Sequence, residues 1–303
     1  MAKMLFSDFQ NEIVAKIKDY LPESFNNSEV SLQIVQKNNL ELTGIVIRSI
    51  SSVVTPTIYL DNFYSQYESG EEIGEILRKI AELRINHEFE NEFDIESITS
   101  WNRCKERIIP KLVGVENNRD FLKERPYTEI ADLAVVYCIL LEESSDGSMT
   151  VPITNQLMSS WEVSVDEIHE VAITNMLTLT PTSFRSMAQV MQEMMGLSDE
   201  EMEEMGMVSG EQMYILTNKQ KLNGASALLD SKMMEAIYER IGEFYILPSS
   251  THEVIVCSFS NRMDVEDLRT MVKEVNDTQV APEDLLSYSV YSYNPVDGVY
   301  VAS

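Results

Sequence analysis

The sequence predicts an α+β fold, with antiparallel or mixed sheets and flanking helices, in one large domain or two lobes. Three observations lead there. β-rich runs come in pairs around short polar tips, as at Lys37-Asn38-Asn39 and Pro248–His252. Apolar residues at three- and four-residue spacing mark amphipathic helices between those pairs. Strands and helices also fail to alternate regularly, as a parallel α/β sheet would require. With 303 residues the chain can bury a sizeable core.

Taken in order, "SDFQNEIVAKIKDYLP" predicts a helix capped by Ser7, with Phe9, Ile13, Ile17 and Tyr20 on one face and Pro22 past its end. "EVSLQIVQKNNLELTGIVIRSI" predicts a hairpin. Helical pattern runs from Asp61 to about Leu83, and His87 to Lys105 is ambiguous. From Arg107 the texture changes, which places a boundary between an N-terminal lobe, 1–106, and a C-terminal lobe, 107–303. "RIIPKLVGV", "DLAVVYCILL" and "MTVPIT" read as strands. "SVDE" from Ser164 is a capping box, followed by Ile168, Val171, Ala172 and Met176 facing inward. A further helix is expected from Thr180-Pro181, with proline at its first turn, then an "LSDEEMEEMG" helix and a "QMYILT" strand. Met234, Ile237, Tyr238 and Ile241 predict a helix ended by Gly242. Tyr245–Leu247 and Glu253–Phe259 should pair as antiparallel strands. Asp264 should cap a helix burying Val265, Leu268, Val272 and Val275. "LLSYSVYSY" reads as a closing strand with alternating aromatics.

Composition bounds the function. Fifty acids against 23 Lys and Arg give a net charge of −27, which disfavours direct binding to nucleic acid or an anionic membrane. Such acids most simply keep a surface solvated, and the sharper alternative is a decoy that mimics nucleic acid. Cys104, Cys138 and Cys257 are odd in number and far apart, so free thiols in a reducing cytoplasm are expected. No basic-then-apolar leader opens the sequence, and its longest apolar run is too short for a bilayer.

"MYILTNKQKLNGASALL", "FYILPSSTHEVIV" and "LRTMVKEVNDTQVAPEDLLSYSVYSY" resemble the signature blocks of a bacterial family of unknown function from anaerobic Gram-positive gut bacteria. "VPITNQLMSSWEVSVDEIHEVAITN" fits the same family, and the resemblance runs from about Val30 to Tyr293. The order of strand, "W-x-V-S-x-D-E" helix and "GASALL" is more loosely similar to another uncharacterised cytoplasmic family of Gram-positive bacteria. The resemblance implies a compartment and an α+β fold, and it brings no catalytic residue to this chain.

Candidate chemistry is sparse. Ser249, Ser250 and His252 crowd the tip of "YILPSSTHEVIV". A serine hydrolase needs a hydroxyl bonded to a histidine that a carboxylate orients, yet in an extended strand Ser250 and His252 stand about 7 Å apart. No "G-x-S-x-G" elbow is present, so a hairpin is the plainer reading, no catalytic residue is assigned, and the alternative is a ligand-binding edge using Ser249, Ser250 and His252. His87, His169 and His252 each precede a glutamate, but Asn91, Ile173 and Val256 stand where a zinc helix needs its second histidine. Neither a metal nor a cofactor is expected. "TNKQKLNGAS" is the basic exception: Lys219, Lys221, Asn223, Gly224 and Ser226 could meet an anion at a helix start. Phe184, Met187, Met191 and Met194 or Met195 repeat at helical spacing, which reads first as core and otherwise as a groove for a partner peptide. The leading expectation is therefore a cytoplasmic, non-enzymatic binding or regulatory protein acting through a protein partner. The alternatives are an enzyme or binder of a phosphorylated or anionic small molecule at the Lys219–Lys221 loop, and the acidic decoy.

Overall fold

The structure is a computed structural model that describes residues 3–49, 55–86, 94–144, 147–196, 198, 201, 213–259 and 264–303. Its chain divides into two compact units, Met1–Ile95 and Glu96–Ser303. Among the described residues every sheet is antiparallel and helices flank the sheets, so the fold is α+β.

In the first unit, α1 (Phe6–Lys16) begins one residue before Ser7, with Leu5 at the cap position, so Ser7 is not the cap. Phe9, Ile13 and Ile17 are fully buried while Tyr20 is exposed. Each such buried side chain contributes about 1.5–3 kcal/mol of transfer free energy. The expected hairpin is present: β1 (Glu29–Lys37) pairs with β2 (Leu40–Arg48) in full register, and Asn39 takes the left-handed conformation at the tip. β3 (Thr57–Tyr59) completes the three-stranded sheet. The expected single helix from Asp61 is two, α2 (Asp61–Glu68) and α3 (Ile73–Asn86), because Gly70 turns left-handed between them. Arg84 is fully buried in this unit. Its Nε donates to the Ile47 carbonyl and its guanidinium lies over the Phe25 ring.

The second unit opens with two short turns, α4 (Glu96–Thr99) and α5 (Trp101–Cys104). Its four-stranded sheet comprises β4 (Ile108–Gly114), β5 (Tyr127–Ile130), β6 (Leu133–Ser144) and β7 (Gly147–Pro152), all paired around β6, with α6 (Arg119–Lys123) between β4 and β5. α7 (Asn155–Trp161) leads to α8 (Val165–Leu179), whose Ser164 and Glu167 form the expected capping box. Ile168, Ala172 and Met176 are buried beneath it, and Val171 is partly so.

The helix expected at Thr180-Pro181 is instead a strand, β8 (Thr182–Ser186), because Thr182–Ser186 pairs in register with Ser186↔Tyr214 through Thr182↔Asn218. Ladder bonds override the local proline signal. The helix starts later, as α9 (Met187–Met195), with Ser186 Oγ accepting the Gln189 N–H. The expected "LSDEEMEEMG" helix falls largely outside the described residues. β9 (Met213–Asn218), β10 (Phe244–Pro248), β11 (Val254–Ser258), β12 (Tyr291–Asn294) and β13 (Gly298–Val301) join β8 in a six-stranded sheet ordered β13-β12-β10-β11-β9-β8. α10 (Ser231–Ile241) ends at Gly242, and α11 (Val265–Gln279) is capped by Asp264, both as expected. In α11, however, Val275 is exposed and Asn276 takes the buried position after Val272, where its Nδ2 donates to the Pro248 and Ser287 carbonyls. Only Tyr291–Asn294 of the closing segment is strand, and Tyr288 lies on the surface.

Candidate functional site

The opening of the site lies where the β10–β11 hairpin meets the loop after β9. Leu247 pairs with Ile255 and Pro248 with Val254, so residues 249–253 form the connection. Ser250 N–H donates to the Glu253 carbonyl, and Ser250 Oγ accepts the His252 backbone N–H at 3.0 Å. These are the bonds of a serine turn. The hydroxyl is thus engaged with backbone rather than with the imidazole. Ser249 beside it is half-buried.

The imidazole reaches across to two other segments. His252 Nδ1 accepts the Asn223 backbone N–H at 3.1 Å, which leaves the proton on Nε2, and Nε2 stands 3.0 Å from Asp284 Oδ1. The hairpin, the lysine loop and the turn before the closing strand are tied together by one ring. Two backbone bonds reinforce the junction: Ala225 N–H to the Thr251 carbonyl and Thr251 N–H to the Asp284 carbonyl. Thr217 Oγ1 donates to the His252 carbonyl at 2.7 Å. Thr251 is 1% exposed at the centre of this junction.

The lysine loop folds back on itself. Asn218 Nδ2 donates to the Leu222 carbonyl, Asn218 Oδ1 accepts the Leu222 N–H, and Lys221 and Asn223 turn left-handed to allow this. A 3-10 turn, Gly224–Leu229, begins where a helix start was expected. Gly224 packs so tightly that a Cβ would stand 2.5 Å from the His252 carbonyl oxygen and 2.7 Å from Asn218 N. The Ala225 N–H is given to Thr251 and the Ser226 N–H to Asn223. Ser226 is buried and its hydroxyl also donates to the Asn223 carbonyl. Lys219 and Lys221 are exposed. The structure therefore brings Asn223, Gly224, Ser226, Ser250 and His252 together, and it places the two ammonium groups outside that junction. The amides of Asn223, Ala225 and Ser226 are already bonded within the protein.

A second polar cluster lies between β5, β6 and α8. Tyr137 OH stands 3.0 Å from His169 Nδ1 and 3.0 Å from Thr128 Oγ1, and Thr128 Oγ1 stands 3.2 Å from the same ring nitrogen. Burial pushes the Tyr137 hydroxyl up to about 12, against a small opposing effect of its hydrogen bond to Thr128. Burial also pulls the His169 pKa below its usual value, with Asp166 and Glu170 offsetting part of it. Both rings are therefore held neutral. Sequence reasoning weighed His169 only as a metal ligand and missed this pairing, whose one signal is that Tyr137 and Thr128 point to the same face of adjacent strands.

A third link joins the β5–β6 turn to β12. Asp132 accepts from Tyr291 OH through one oxygen and from Ser289 Oγ through the other, each at 2.5 Å. Burial raises the Tyr291 pKa far above the tyrosine range. Among the described residues no three His, Cys, Asp or Glu side chains gather to hold a metal ion, and no helix is long and apolar enough to cross a membrane. His87 lies outside the described residues.

Residues 6–295 match the model of a family of unknown function, DUF5688. The chain belongs to this family. The match covers the serine turn, the lysine loop, Asp284 and the Thr128–Tyr137–His169 cluster alike. No curated protein and no solved structure matches the chain.

Proposed function

We propose that this protein is a non-enzymatic binding protein of the bacterial cytoplasm that works through a protein partner. The observation that carries the reading is α9. This helix is held in place at both ends, by the Ser186 cap and by left-handed Gly196, and the Arg185–Glu193 ion pair fixes it to β8. Yet none of its side chains is buried, and its last turn exposes Met194 by 81% and Met195 by 54%. The Phe184–Met195 row therefore starts on the core at Phe184, is half-buried at Met187 and Met191, and ends on the surface at Met194 and Met195. Methionine is polarizable and unbranched, so it suits an adaptable protein-binding face. The Ser250–His252 tip supports the same reading from the other side, because both ring nitrogens of His252 are engaged and neither is left to serve as a base.

The test is a comparison of the full chain with its Met194→Ser/Met195→Ser variant as bait in bacterial cytosol. A protein retained by the first and lost by the second, with both baits equally folded by circular dichroism, is the expected result. Identical retention by both baits would remove α9 from the interface and the reading with it.

A further inference from the structure

Three cations gather around one cavity that the sequence motifs did not point to. A cavity of about 500 Å³ opens between α6, the start of β5 and the starts of α7 and α8. Its lining carries Arg119, Lys123 and Arg125 and, among the described residues, no carboxylate. The whole chain has only 23 Lys and Arg among 303 residues, so three around one cavity are a local concentration of positive charge. Its volume suits a metabolite-sized ligand.

The basic turn is rigidly placed. Asn155 N–H donates to the Glu124 carbonyl and Asn155 Nδ2 to the Lys123 carbonyl, each at 2.9 Å, which ties the turn to the start of α7. Arg125 is half-buried. Its guanidinium stacks 3.8 Å from the Phe121 ring centre, and Nη1 donates to the Phe121 carbonyl at 2.7 Å. Its Nε is buried with no hydrogen-bond partner. A buried donor left unmade costs about 1–3 kcal/mol, more for a charged group. Among the described residues no carboxylate forms an ion pair with it, and burial lowers its pKa against the effect of Glu124. Lys123 pairs with Asp120 on the open surface, where such a pair contributes little and exchanges readily. Arg119 is exposed without an ion-pair partner among the described residues. It also borders a neighbouring cleft that carries Glu116, Glu129 and Asp132, so Arg125 and Lys123 are the cations that line this cavity alone of the two.

Most of the remaining wall is apolar, from Val115, Leu122, Pro126, Met158 and Val165, with Tyr127 and Asn155 beside them. Cations and aliphatic carbon in one lining select for both halves of an amphiphile. We propose that this cavity binds a small organic anion, a carboxylate or phosphate group on an apolar body. The anionic end meets Arg125 and Lys123, and the body lies against Leu122, Met158 and Val165. Arginine suits this role because its planar fork matches either oxyanion.

Calorimetry on the full chain at low salt tests this with hexanoate and phenyl phosphate as probes. Hexanamide, phenol and inorganic phosphate serve as the counterparts lacking the charge or the body. At least one organic anion should bind, about tenfold or more tighter than its uncharged counterpart, the margin expected of one charge-assisted hydrogen bond. Which of the two binds separates a carboxylate ligand from a phosphate one. Arg125→Gln should weaken binding at least about tenfold. Because Arg125 is half-buried, the exposed pair Arg119→Ala/Lys123→Ala provides a variant that keeps the fold, and it should weaken binding too, whereas Lys232→Ala should not. The proposal is overturned if neither anion binds, if hexanamide or phenol binds equally well, if inorganic phosphate matches phenyl phosphate, or if the arginine and lysine variants bind as the parent does.

Discussion

His252 and Asp284 lie 32 residues apart and meet through Nε2 and Oδ1 at 3.0 Å, while Nδ1 of the same ring accepts the Asn223 N–H. A histidine beside two serines is thus a strut between three loops. Replacing it with alanine leaves the Asn223 N–H and the Asp284 carboxylate without these partners. His252→Ala should lower stability by about 1–3 kcal/mol in chemical denaturation. A midpoint identical to the parent's would mean that the ring carries no structural load.

Gly224 sits at the same junction and has no room for a side chain. An alanine there would overlap Thr217 Oγ1 and crowd the His252 carbonyl and Asn218 N, which are backbone groups that cannot swing away. Gly224→Ala should therefore destabilise by about 1–3 kcal/mol or more. Gly242→Ala is a contrasting case, since it meets no atom within 4 Å and suffers only from its positive φ. A thermal melt of both variants should show Gly224→Ala the less stable.

The Thr128–Tyr137–His169 cluster predicts a stability loss at both ends of the pH range. His169 has a lowered pKa when folded, so the unfolded chain takes up a proton first as pH falls through 6.5, and stability drops from there. Tyr137 has a raised pKa, so the unfolded chain loses its proton first between pH 10 and about 12, and stability drops there as well. Denaturation of the parent beside His169→Gln should show a shallower fall just below pH 6.5 in the variant, while the lowered carboxylates Asp120, Glu167 and Asp277 keep a slope at lower pH in both. Tyr137→Phe should make the alkaline limb shallower, the remainder belonging to Tyr291, Cys104 and Cys138. Parallel curves for all three would separate the cluster from the pH response.

The three cysteines are free and buried. Burial pushes the thiols of Cys104 and Cys138 up to about 11, so little thiolate forms near neutrality. Native protein should react slowly with a thiol label, and denatured, unreduced protein should take up three labels per chain, the full cysteine count. Rapid labelling without denaturant would indicate an opening that exposes them.

Much of the fold was legible because local signals and tertiary pairing agree. The Lys37–Asn39 hairpin, the Ser164 capping box and the β10–β11 pair each carry their turn or cap chemistry within a few residues. The misreadings share a cause: a distant partner decides. Thr180-Pro181 looks like a helix start until β9 supplies a ladder for the next five residues. Val275 follows the apolar spacing of its helix, but Asn276 is the residue that meets Pro248 and Ser287. The candidate loop was legible in part. Its residue types suggested an anion site, while the bonds that occupy its amides come from Thr251 and Asn218, and nothing local announces them. The basic cavity was illegible because Arg119, Lys123 and Arg125 occur in a mixed-charge stretch, and only the packing of α7 and α8 turns that stretch into a wall.

The junction around Thr251 has a consequence for how the molecule moves. Loop amides ordinarily open to water many times faster than those of strands. Here the amides of Asn223, Ala225, Thr251 and His252 all donate to partners outside their own ladders. In deuterated solvent these loop positions should exchange as slowly as the neighbouring strands β9 and β11, so the hairpin tip is an anchor for that end of the sheet and not a gate.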